Sequence, residues 1–312
     1  MEFSHVSVLL PECMEALEPQ RGGVFVDCTA GGGGHSLAIA ERLPAGGRLI
    51  CLDRDDAALA ACRTRLAAYA DRVTLVKANF ASLGEALDEA GAAEIDGVLW
   101  DLGVSSYQLD EKSRGFSYAA EAPLDMRMDP SGGVTAAEIV NTYPESELSR
   151  ILREYGEEKF AARIAARIAE ARREAPIGTT TALAELVAAA IPAAARHAEH
   201  QHPARRTFQA LRIEVNGELD AIAPSLREAV RRLRPGGRAA VITFHSLEDR
   251  IVKQTFAALS AGCTCPPDFP VCVCGRRPVV RLLGRRPILP GEEELAANPR
   301  SRSAKLRCAE KL

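Results

Sequence analysis

No run of apolar residues in this 312-residue chain approaches the ~18–20 needed to span a bilayer. The opening Met1-Glu2-Phe3-Ser4-His5 has no basic stretch leading into an apolar core. Both absences argue against a signal peptide or a membrane partner and predict a cytoplasmic protein. A cysteine framework is missing too. The nine cysteines are an odd number, and Cys13, Cys28, Cys51, Cys62 and Cys308 are scattered, which fits reduced thiols better than disulfides. No internal repeat is visible. Charge of one sign is not in large excess, since the net charge of −3 excludes indiscriminate coating of nucleic acid. The distribution is nevertheless uneven: from Arg276 to Leu312 ten Lys or Arg stand against four Glu. That segment reads either as a local phosphate-binding surface or as a solvated face. With 47% apolar and 26% charged residues, the remaining class is an ordinary globular chain of one large or two modest domains.

Within the first hundred residues, short apolar runs at Val24–Cys28, Arg48–Asp53, Val73–Lys77 and Ile95–Asp101 alternate with helical stretches at Ser36–Arg42, Ala57–Tyr69 and Leu83–Ala90. This beat predicts βαβ units, and the near-continuous apolar strands predict a parallel sheet covered on both faces. The rhythm breaks after Asp101. A polar segment from Ser105 to about Pro130 precedes helical stretches between Thr135 and about Ala194, among them Phe160–Arg173. Strand character returns at Arg238–Phe244, before a helix whose start is marked by Ser246 and Asp249. Val279–Leu283 and Ser303–Cys308 could complete the sheet, and Gly291–Pro299 reads as a loop. The simplest architecture is an α/β sheet interrupted by an all-helical insertion, divided as 1–108, 109–210 and 211–312.

The strongest local signal is Val24-Phe-Val-Asp27-Cys-Thr-Ala-Gly31-Gly-Gly33-Gly34-His35-Ser36, a strand, a glycine turn and a helix start. Such a turn lets backbone approach a ligand closely. The carboxyl edge of a parallel sheet is also where nucleotides bind. Alone, it reads equally as a tight turn. Asp53, at the end of the second strand, can accept both hydroxyls of a ribose. A P-loop is excluded because no Gly-Lys-Ser/Thr follows the glycines. A dinucleotide would place pyrophosphate on the helix amino terminus, where Asp27 and Asp101 would repel it. S-adenosylmethionine carries a ribose, an adenine and a cationic sulfonium instead, so acids at the strand ends favour it. Asn79-Phe80, after the third strand, could supply a polar and a stacking contact to adenine.

Asp101-Leu-Gly-Val-Ser-Ser-Tyr-Gln108-Leu-Asp110, Arg114-Gly-Phe-Ser and Pro123-Leu-Asp125-Met-Arg127-Met-Asp129 resemble the small-subunit ribosomal RNA methyltransferase H family, also called MraW. So do Tyr155-Gly-Glu-Glu, His202 to Asn216, Phe244-His245-Ser-Leu-Glu-Asp249-Arg250, Asn298-Pro-Arg300-Ser-Arg302-Ser and the opening His5 to Glu12. The resemblance runs through essentially the whole chain. It implies a Rossmann-like class I methyltransferase sheet with a helical insertion, S-adenosylmethionine as cofactor, and methylation of N4 of a cytidine in the decoding region of 16S rRNA. The partner it implies is 16S rRNA, within the small ribosomal subunit. It also implies donor contacts at Gly33, Gly34, His35, Asp53 (ribose), Phe80 (adenine side), Asp101 and Gln108. Trp100, where a smaller aliphatic residue is expected, and the four successive glycines depart from the family pattern. Oligomeric state is left open, a homodimer included.

An exocyclic cytosine amine is a poor nucleophile because its lone pair is delocalised into the ring. Hydrogen-bond acceptors near the amine, and in-line positioning, help. Asp101 and the backbone from Leu102 to Ser105 are candidate acceptors. The Asp/Asn/Ser-Pro-Pro-aromatic motif of many amino-methyltransferases is absent, so roles cannot be copied from it. Pro-Cys is absent as well, which argues against ring-carbon methylation. His245 reads either as a base contact or as a helix cap, and Asp125 and Asp129 either shape a base pocket or hold Arg127. Asp101, Asp125 and His245 are thus the candidates for catalysis, with Arg114, Arg127, Arg206 and the carboxy-terminal arginines as candidate phosphate partners. Cys263-Thr-Cys265 and Cys272-Val-Cys274 read either as a zinc set or as reduced thiols in a Pro-rich loop. His197, His200 and His202 read as a solvated loop. Two other functions remain open: the same chemistry on another RNA or a protein, and donor-sensing RNA binding without catalysis.

Overall fold

The computed structural model describes residues 7–198, 201–263, 265, 271 and 274–312. Its strands are β1 (Val24–Asp27), β2 (Arg48–Asp53), β3 (Val73–Lys77), β4 (Ile95–Asp101), β5 (Leu233–Thr243), β6 (Val280–Leu282) and β7 (Lys305–Lys311). They form one seven-stranded sheet in the order β3-β2-β1-β4-β5-β7-β6. The pairs among β3, β2, β1, β4 and β5 are parallel, whereas β7 runs antiparallel to β5 and to β6. This is the class I methyltransferase arrangement.

The apolar runs are nearly continuous because alternate residues enter two different cores. From β2, Ile50 and Leu52 face one cluster with Val98, Trp100 and Val241, whereas Leu49 and Cys51 face the other with Leu99, Ala240 and Ile242. The helices Leu83–Glu89, Glu218–Arg232 and Ser246–Ser260 cover the first face, and Leu10–Leu17, Gly34–Arg42 and Asp56–Arg65 the second. A sheet covered on both sides has no polar positions to alternate with.

Trp100 is accommodated through its polar edge. Its ring is buried in the first cluster, and its indole N–H donates to the Ser225 hydroxyl over 3.0 Å. Ser225 is itself fully buried. Ser225→Ala would strand that donor and is expected to destabilise the protein by about 1–3 kcal/mol, read from a urea midpoint. An unchanged midpoint would mean the bond contributes nothing.

The chain divides into two compact units, Met1–Gly103 with Leu219–Leu312, and Val104–Glu218. The second boundary lies beyond residue 210 because Arg205–Asn216 is one uninterrupted helix ended by Gly217 in the left-handed conformation. In the second unit, the helices Ala136–Thr142, Glu145–Glu154, Ala161–Ala171, Thr180–Ala190 and Arg205–Asn216 bury Ile139, Ile151, Ile164, Ile168, Leu183 and Phe208 in a core of their own. Their apolar residues recur on a helical period, as at Leu148, Ile151 and Leu152. No helix among the described residues is long and apolar enough to cross a membrane.

Two local expectations are corrected. Within Gly291–Pro299, Glu292–Ala297 is a helix, not a loop. Three glutamates in its first turn suit the positive end of the helix dipole, and Glu294 Oε1 accepts the Leu9 N–H over 2.9 Å. The helix Ser246–Ser260 is capped by His245 paired with Glu248, not by Ser246 with Asp249. Asp249 is instead occupied by Arg307, at 2.7 Å, and by Lys305.

Candidate functional site

Three carboxylates sit at the carboxyl ends of neighbouring strands: Asp27 ends β1, Asp53 ends β2 and Asp101 ends β4. Asp27 is buried, and burial pushes its carboxyl above the usual range. The Ser36 hydroxyl, which donates over 2.6 Å, and the Thr29 N–H pull it back. Asp53 is raised to about 6, chiefly by burial and further by the charges of Asp55 and Asp27, against hydrogen bonds from two backbone donors. Its Oδ2 accepts the Gly31 N–H over 2.8 Å and its Oδ1 the Asp55 N–H over 2.9 Å. Those bonds tie the glycine turn to the end of β2 and fix the carboxylate's orientation. Asp101 is also raised to about 6, first by burial and then by Asp27 and Glu248, while His35 opposes the shift. Its backbone N–H donates to Thr29 Oγ over 2.6 Å. Among the described residues its Oδ1 is buried with no hydrogen-bond partner. Three acids held close in partial burial suit a cation and disfavour a pyrophosphate.

Geometry gives the glycines distinct roles. Gly33 caps the helix Gly34–Arg42 at φ +76°, where an L side chain is strained. A Cβ on Gly34 would collide with the Ser7 hydroxyl. Gly33 is therefore required by its backbone conformation, whereas a side chain at Gly34 would need Ser7 to turn aside; both leave backbone bare at the strand ends. The His35 side chain is buried beneath this turn. Its Nε2 lies 2.9 Å from the Val8 carbonyl, and its Nδ1 faces Asp101 Oδ2 at 3.6 Å. The family resemblance makes His35 a donor contact, and its imidazole also braces Asp101 from behind; Val8, Thr29 and Ser36 were not singled out from the sequence. Phe80 opens a short turn after β3, half-buried, with Asn79 Oδ1 accepting the Ala81 N–H over 3.0 Å.

At the end of β5, Glu248 is 1% exposed and its Oε2 accepts the N–H of Phe244 and of His245. His245 Nε2 stands 3.1 Å from Glu248 Oε1 without hydrogen-bond geometry. His245 Nδ1 caps the helix by accepting the Glu248 N–H, the structural role its position offered. The spacing of His245 and Glu248 is the signal that could have revealed the glutamate.

Residues 2–312 match the MraW methylase family. The chain belongs to that family. It is 60% identical over 316 residues to the ribosomal RNA small subunit methyltransferase H of Paenibacillus sp. (strain JDR-2), covering 99% of this chain and 100% of that protein. With the protein of the same name from Heliobacterium mobile it shares 58% identity over 313 residues, covering 100% of both.

The remaining positions singled out in this methylase lie in the second unit or at the Cys-rich segment. Gln108 is buried and closes a capping box: its Oε1 accepts the Ser105 N–H over 3.1 Å while its own N–H donates to Ser105 Oγ. Asp125 holds Arg127 through a two-pronged pair of 2.9 and 2.7 Å. Burial works against its ionisation, but the bonds from Arg127 outweigh it and keep the carboxyl below its usual range. Asp129 accepts the N–H and hydroxyl of Ser131. Arg114 Nη2 donates to the carbonyls of Arg127 and Met128, and Asn216 bridges Met126 and Met128. Arg114 and Arg127 thus hold a loop in which Met126 stands at φ +63°. His202 lies exposed in a loop, as its sequence surroundings suggested, with its ring stacked on Tyr118 at a centroid distance of 4.4 Å. His5, His200 and Cys272 lie outside the described residues, as does the side chain of His197.

Proposed function

We propose that the protein transfers the methyl group of S-adenosylmethionine to the exocyclic N4 of a cytidine in 16S rRNA, acting in the cytoplasm on RNA of the small ribosomal subunit. The observation that carries the proposal is the row of acids at the ends of β1, β2 and β4, with the buried Oδ1 of Asp101 lacking a partner. When bound, the donor supplies an electrophilic methyl on a cationic sulfonium. Asp53, already oriented by Gly31 and Asp55, has lone pairs left to accept ribose hydroxyls. The bare backbone of Gly33 and Gly34 borders the donor's methionine end, and Phe80 supplies an apolar face for adenine. Gln108 joins this set by resemblance alone. Asp101, braced by His35, offers negative charge to the cation and an acceptor to the amine proton, so that the nitrogen lone pair localises towards the methyl. The exposed Arg276, Arg277, Arg285, Arg286 and Arg302 provide a basic surface for phosphates.

Transfer of label from methyl-tritiated donor to 16S rRNA or to small subunits is the test, with nucleoside mass mapping expected to identify N4-methylcytidine. Label confined to protein or to another RNA, or donor binding without transfer, would overturn the assignment.

A further inference from the structure

The chain leaves the helix Ser246–Ser260 and re-enters the sheet at β6, where the Val279 N–H donates to the Leu259 carbonyl over 2.9 Å. Between these points, no described residue belongs to a helix or strand, and none contributes to the buried core. Hydrophobic packing therefore does little to hold these described residues, the situation in which small folds use a staple. Within it, Cys263, Cys265 and Cys274 bring their Sγ atoms within 4.8 Å of one another, and Cys263 and Cys274 Sγ are 3.7 Å apart. We propose that these thiolates hold a zinc ion that staples the excursion.

The 3.7 Å separation is far longer than the ~2.05 Å of a disulfide bond. It matches the ~3.8 Å edge of a tetrahedron built on Zn–S bonds of about 2.3 Å. Cys263 Sγ accepts the Cys265 N–H over 3.4 Å, a bond that favours the thiolate. The exposed Arg276 and Arg277, two and three residues after Cys274 in the chain, offset the gathered negative charge. An all-sulfur set selects zinc over magnesium or calcium. Each thiol releases its proton as its bond to the metal forms, so uptake weakens as pH falls. The fourth corner of the tetrahedron belongs to a ligand outside these three.

Full-length protein purified without chelator is expected to contain about one zinc per chain by elemental analysis. Zinc-free protein titrated with Co(II) should develop thiolate-to-metal charge-transfer absorption. The double variant Cys263→Ser, Cys265→Ser should retain less than about a tenth of an equivalent and show no such absorption. Wild-type protein with as little zinc and no cobalt band overturns the site, and so does a full equivalent retained by the double variant. Neither readout depends on methyl transfer, so failure here leaves the proposed reaction standing.

Discussion

Asp101→Asn is expected to stabilise the donor-free protein at pH 7.5 while lowering methyl transfer by at least about 10²-fold. Burial raises the Asp101 carboxyl from 3.8 to about 6, with Asp27 and Glu248 adding to the shift. Below about pH 4 it is protonated in both folded and unfolded chains and carries no penalty. Between about pH 4 and 6 the folded chain binds more protons than the unfolded one, so stability falls as pH rises, and above 6 the full cost of the buried charge is present. Two pKa units correspond to about 3 kcal/mol. The side chain is 28% exposed, so solvent screening brings the expected gain to on the order of 1–3 kcal/mol. Urea midpoints of both proteins at pH 5 and pH 7.5 provide the check. The asparagine variant should gain most at pH 7.5 and show a flatter pH dependence. A variant less stable than wild type at pH 7.5 would remove the idea that this charge is held at a cost for the sake of its ligand.

Asp53→Ala is expected to weaken donor binding about 10²–10³-fold, the loss of two charge-assisted hydrogen bonds of roughly 1.5–3 kcal/mol each, partly replaced by water. Asp53→Asn, which keeps one carbonyl acceptor, should lose less. Because Asp53 titrates at about 6, wild-type affinity should be flat above about pH 7 and fall below 6, as protonation removes acceptors. The asparagine variant should keep only the shallower part of that fall contributed by Asp101, whose carboxyl also titrates at about 6. Calorimetric titration across pH 5–8 measures both effects. An alanine variant within about threefold of wild type would end the ribose assignment.

Much of the architecture is legible in the chain because a doubly covered sheet writes itself as unbroken apolar runs. Arg48–Asp53, Val73–Lys77 and Ile95–Asp101 are strands at the boundaries read from sequence. The acids were legible as well, since Asp53 and Asp101 are the last residues of their runs and Asp27 the last but one. What could not be read depends on contacts distant in sequence. Nothing near His35 announces that its ring meets the Val8 carbonyl, nor near Gly34 that Ser7 occupies the space of a side chain. Trp100 looks anomalous until Ser225, 125 positions away, supplies its partner. Glu292–Ala297 hid between glycine and proline because it is six residues long and buries none of them, leaving no apolar stripe to reveal it. At His245, serine and aspartate beside it offered a more conventional cap than the histidine and glutamate that form it.

The pairing of β4 with β5 joins stretches of chain separated by residues 102–232. During synthesis at about 5–20 residues per second, β4 emerges on the order of ten seconds before the strand that completes its hydrogen bonding. Over that interval the nascent protein holds an open β edge, while residues 104–218, with their own core, can already fold. Translation speed through the middle of the message, and chaperones waiting at the exit tunnel, therefore bear on the yield of this enzyme more than on its final stability.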